Sequence, residues 1–87
     1  MTTKPPPTVK EVPADSLEKI AYNSVSSIPT QEPNDRNRLG YHVWLWLVNR
    51  GGTLSEAIKV SGSRMHIAHD KALTIITENL KNQGIQL

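Results

Sequence analysis

Eighty-seven residues with a proline-rich start leave room for one small domain and not for a large enzyme core. The chain has no cysteine, which excludes disulfides, thiolate zinc sites and cysteine nucleophiles and leaves small size to be offset by helix packing or self-association. Its formal charge of +2 is unevenly divided: residues 1–35 carry three Lys or Arg against five Asp or Glu (−2), and residues 36–87 carry seven against three (+4), a balance that draws polyanions to the C-terminal half.

Residues 1–13, MTTKPPPTVKEVP, predict a disordered, polyproline-like arm that can contact a protein partner, followed by one domain over 14–87. No apolar run reaches the roughly 20 residues of a membrane span, and the prolines of the start interrupt any signal-peptide core, so no membrane association and a cytoplasmic location are expected. From Asp15, a cap with Glu18 three residues on, the residues Leu17, Ile20, Ala21, Val25 and Ile28 recur at helical spacing and predict an amphipathic helix ending before Pro29. Asn34 or Asp35 is placed to cap the next element.

The stretch YHVWLWLV, residues 41–48, suits a buried strand as well as a helix. Its context decides for helix: about fifteen residues between the Asn34 region and Gly51 fit three to four turns, and a strand would lack a partner. Apolar nearly all round, it is expected at the centre of the domain, and any part left uncovered would seek a partner subunit. Thr53-Leu54-Ser55-Glu56 reads as a capping box that starts a third helix, with Leu54, Ala57, Ile58 and Ser61 on one face and Ser61-Gly62 as its end. Ser63 is then the expected cap of a fourth helix running through RMHIAHDKALTIITENLKNQ to Gly84, packed through Met65, Ile67, Ala68, Ala72, Ile75, Ile76 and Leu80. The fold class is all-α, about four helices.

Two helices with so short a break match a helix-turn-helix unit. VSGSRMHI, Val60 to Ile67, resembles the turn and early recognition helix of bacterial, phage and plasmid helix-turn-helix regulators, and HDKALTIITENLKN is loosely similar to the TrfB-like plasmid repressors. The resemblance puts Ala57 at the small site where the helices cross and Val60 and Ile67 at buried sites. Glu56 and Asp70 depart from it, standing where the pattern is commonly apolar, and the glycine comes one residue late. On that alignment Ser63, Arg64, His66 and His69 are the candidates for contact with DNA bases, Arg64 through two hydrogen bonds to guanine. Arg50, Ser55, Lys59 and Lys71 are the candidates for phosphate contact.

Other chemistries find less support. SGSR lacks the glycine spacing and following Lys-Ser/Thr of a phosphate loop; His66, His69 and Asp70 are not accompanied by an HExxH pattern; and neither Ser61 nor Ser63 has a recognisable base and oxyanion site. No metal, no cofactor and no enzymatic activity are expected. The expected function is sequence-specific binding of duplex DNA by a homodimeric transcriptional regulator, a repressor on a near-palindromic operator with half-sites about 34 Å apart. The alternative is a small helical adaptor that holds another protein through the Trp44–Trp46 segment and the N-terminal arm.

Overall fold

The computed structural model describes residues 14–87, and four helices make up most of them: α1 (Ala14–Val25), α2 (Pro33–Asn49), α3 (Leu54–Ser61) and α4 (His69–Asn82). The arm expected over 1–13 lies outside the described residues. Among those described there is no strand, and no helix is long and apolar enough to cross a membrane. YHVWLWLV is helix, as the spacing of its flanks requires.

The helices form a closed ring in which α1 packs on α2 and α4, and α3 packs on the same two. Side-chain bonds give the directions. Asn79 Nδ2 donates to the Ser24 carbonyl and Gln83 Nε2 to the Ile20 carbonyl, so α4 advances as α1 recedes. The core is the sum of one stripe from each helix: Ala21 and Val25; Leu39, Val43 and Leu47; Leu54 and Ile58; Ala72, Ile76 and Leu80; Ile28 and Ile85 close it from the connectors. Spacings of three and four residues along each helix account for this membership.

Gly40 marks the closest approach of α1 and α2. A Cβ there would fall 2.5 Å from Cδ1 of Tyr22, because the tyrosine ring lies directly on the helix backbone. Gly40→Ala is therefore expected to destabilise the domain by up to about 2 kcal/mol, overpacking of about 1–3 kcal/mol less the roughly 1 kcal/mol that alanine gains in helix propensity. Urea denaturation of the two proteins measures it, and a variant as stable as the parent would show that the ring moves away freely.

Local signals at the helix ends hold where they are purely local. Thr53 and Glu56 form the reciprocal capping box of α3, Thr53 Oγ1 accepting from the Glu56 N–H and Glu56 Oε1 from the Thr53 N–H, and Gly62 ends the helix in the left-handed region. At the end of α4, the Gly84 N–H bonds the Lys81 carbonyl and the Ile85 N–H the Leu80 carbonyl, with Gly84 at φ +89° and Ile85 buried. This is the paired closure that a glycine permits and an apolar residue after it secures.

Several expectations are corrected. Asp15 lies inside α1, which begins at Ala14, and so does not cap it. Neither Asn34 nor Asp35 caps α2: the cap position is Glu32, Pro33 takes the first turn where its missing N–H is not needed, and Asp35 falls in that turn with 1% exposure. Val60, expected buried, is 69% exposed, and Ala68, expected in the packing, is also exposed. Ser63 does not cap α4, which begins six residues later at His69. The physical reason is competition for backbone partners. The Gln31 N–H bonds the Arg64 carbonyl and the His66 N–H bonds the Pro29 carbonyl, an antiparallel bridge centred on Thr30 and Met65. Residues 64–66 thus satisfy their main chain across the fold instead of within a helix.

Candidate nucleic-acid interface

The joint between α3 and α4, residues 62–68, is seven residues long and has its own anchor. The Ser63 hydroxyl donates to the Asp35 carbonyl. Beside it the Arg64 guanidinium meets the Asp35 carboxylate, Nε to Oδ1 at 3.5 Å and Nη2 to Oδ2 at 3.3 Å, and reaches Glu32 Oε2 at 3.6 Å. Arg38 adds a contact to Oδ1 at 3.5 Å. Asp35 Oδ2 is ion-paired to Arg64 without an aligned hydrogen bond. Burial pushes the Asp35 carboxyl up, but the Arg64 backbone N–H, the Arg64 guanidinium and the Glu32 backbone N–H outweigh it and hold the group below the ordinary carboxylate range.

From this anchor the joint turns back alongside α3. Ser55, in the first turn of α3, lies with Oγ 3.1 Å from Nε2 of His69, the first residue of α4, in a hydrogen bond whose direction follows the histidine tautomer. The start of α4 is consequently stapled to the start of α3, not to its end. Lys59 is one turn beyond Ser55 on α3, and Lys71 is in the first turn of α4; both are exposed. Neither has an ion pair among the described residues.

The eight expected contact residues therefore fall into separate places. Ser55 and His69 meet where α3 and the start of α4 approach, while the exposed Lys59 lies one turn along α3 and the exposed Lys71 two residues into α4. Ser63 and Arg64 are engaged with the amino end of α2, and His66 sits in the extended joint with its side chain exposed and its N–H on Pro29. Neither Arg64 nor His66 lies on a helix, so the expected presentation of both from the first turns of α4 is corrected. Arg50 is at the far end of α2 in the left-handed region, φ 54°, where its guanidinium lies 4.8 Å from the Trp46 ring centre and donates to the Gln86 carbonyl at 2.8 Å. It ties α2 to the C-terminal residues.

Arginines and lysines divide by role. Arg36 donates to the Ile28 carbonyl, and Arg38, Arg50 and Arg64 are engaged as described, so four planar guanidiniums brace the fold. Lys19, Lys59, Lys71 and Lys81 remain as exposed point charges. Sequence reasoning missed Asp35 and Glu32 as the anchor of the joint. An acid between Pro33 and two arginines was visible, but its main partner, Arg64, is 29 residues away. Ser55 and His69 also pair the groups that a nucleophilic mechanism would use, yet no carboxylate hydrogen-bonds the imidazole among the described residues. No three potential metal ligands gather among those residues.

Comparison with protein-family models, with curated proteins and with solved structures returns no match for this chain.

Proposed function

We propose that the protein is a duplex-DNA-binding domain of the helix-turn-helix kind, acting as a homodimeric transcriptional repressor, with α3 as the bracing helix and the start of α4 as the element offered to the groove. The observation that carries this reading is the stapled corner of Ser55 and His69, with the exposed Lys59 one turn along α3 and the exposed Lys71 two residues into α4, while Arg50 and Arg64 are occupied inside the chain. A rigid helix start with free cations beside it meets the two needs of a groove reader, phosphate attraction and a side chain at the base edges. His69 takes the base-edge role in this reading, Ser55, Lys59 and Lys71 take the phosphates, and Arg64 becomes the residue that positions the joint. DNA recognition is electrostatically driven here, so it is sensitive to salt.

The test is selection of duplexes from a random library by the purified chain, followed by fluorescence anisotropy on the selected duplex. Log affinity should fall linearly with log salt, and Lys59→Ala and Lys71→Ala should each reduce the slope by about 0.9. Failure to enrich any duplex, or affinity indifferent to salt, would sink the reading.

The adaptor reading is favoured by a different observation, the apolar side chains left on the surface: Tyr41 at 46%, Val48 at 45% and Val60 at 69% exposure. Binding through such a face would change little with salt, which separates the two functions.

A further inference from the structure

The exposed apolar residues are ordered. Tyr41, Trp44, Leu45 and Val48 follow one another at three- and four-residue spacing along α2, on the side opposite Leu39, Val43 and Leu47 of the core. Tyr41 and Val48, the two ends of the stripe, are the most exposed, and Trp44 and Leu45 between them are half-buried. Leu45 also lines a shallow groove whose other walls include Trp46 and Glu56 and whose floor reaches Ala57 and the exposed Val60. Arg38, His42, Leu45 and Asn49 form the adjoining row, so Arg38 lies in line with the groove, toward the other end of α2.

We infer that this face of α2 binds a second copy of the same chain, with the two α2 helices antiparallel and the twofold axis between Trp44 and Leu45. The stripe is its own complement when reversed: Tyr41 meets Val48 of the second copy, and the two half-buried residues meet at the axis. Charge points the same way. At about 1.5 Å per residue, Arg38 lies about 10 Å before the axis, and reversal carries Arg38 of the second copy about 10 Å beyond it. There it faces the corner of Asn49, Gly51, Gly52 and Glu56 that closes the groove, and Glu56 is the acid of that corner. Both charges lie on the groove side of the stripe, Arg38 with half its side chain exposed beyond its contact to Asp35 and Glu56 with only Oε1 used in the capping box, so the pair forms twice in one dimer. A parallel arrangement would instead set Arg38 against Arg38 and Glu56 against Glu56. The inference rests on the dimeric half of the proposed function and not on its DNA half, and its test uses no DNA.

The test is sedimentation of the full chain from about 1 μM to about 500 μM. A reversible monomer–dimer equilibrium is expected, and Tyr41→Glu/Val48→Glu should weaken it by at least about 100-fold while leaving helical circular dichroism unchanged. Because the chain has no cysteine, an introduced one reports position alone. Leu45→Cys, next to the axis, should cross-link to itself on mild oxidation, whereas Asn37→Cys, whose two copies would stand about 22 Å apart, should not. A mixture of Tyr41→Cys and Val48→Cys chains should give the mixed disulfide and provides the same reading if Leu45→Cys folds poorly. A monomer at every concentration, a dimer that ignores the two glutamates, or self-linking of Asn37→Cys as fast as that of Leu45→Cys would each overturn the arrangement.

Discussion

Replacing Arg64 by leucine is expected to lower the thermal midpoint by about 10 °C at pH 7, and to do so through Asp35. Arg64 is more than half exposed, but the carboxylate it meets is 1% exposed, so the variant leaves a charge inside the fold with Arg38 as its remaining cation. The pH dependence should change sign along with the stability. In the parent the Asp35 carboxyl titrates below its unfolded-state value, so the unfolded chain binds more protons in that interval. Its contribution is fully present above the unfolded-state value, about 3.9, and is lost as pH falls through the folded-state value. Without Arg64, burial dominates and the carboxyl rises; stability is then lost as pH rises through the raised value. Thermal melts across acid pH measure both curves, and Asp35→Asn in the Arg64→Leu background should recover much of the midpoint. An Arg64→Leu protein with parental stability and parental pH dependence would mean that the joint is held by its backbone bridge alone. A base-reading Arg64 predicts the reverse pattern, parental stability with altered sequence preference, so one variant separates anchor from reader.

Leu80→Ala should cost about 2–5 kcal/mol, a large part of the stability available to a domain of this size. Leu80 is fully buried, sits where α4 packs on α1, and its carbonyl accepts the Ile85 N–H that closes the helix. Removing its side chain opens a cavity in the core and also takes the apolar contact from under the glycine turn, so the C-terminal residues should loosen with it. Urea unfolding measures the loss. Val60→Ala is the control: at 69% exposure it should stay within about 0.5 kcal/mol. If the two variants were equally mild, α4 would not be seated in the core as described.

The residues that the chain could settle within one or two helical turns were readable from their order. Thr53 and Glu56 cap each other across three positions, Gly62 and Gly84 end helices by adopting a backbone that other residues avoid, and the apolar spacing of Leu54, Ile58, Ala72, Ile76 and Leu80 names the face each helix buries. The existence of α3 and α4 follows from those features because their causes are local, whereas α2 was settled by the length of its segment and the lack of a strand partner. The start of α4 was not readable. Ser63 has the chemistry of a cap and the following residues have helical spacing, but their backbone found partners in residues 29–31, and the serine hydroxyl found the Asp35 carbonyl.

The candidate site shows the same division. Its residue types, a basic C-terminal half with serines and histidines around a short break, were set by sequence. Which of them stand together was decided by tertiary structure: the joint folds back along α3, bringing His69 to Ser55 and giving Arg64 to Asp35. The α2 face was half legible, since YHVWLWLV has more apolar surface than one small core can take, yet only the packed ring of helices determines that Tyr41 and Val48 are the residues left outside. Caps and periodicity act over a turn or two and are written in the order of residues, whereas ion pairs and backbone bridges join segments about thirty residues apart, and their partners are chosen only when the chain has closed on itself.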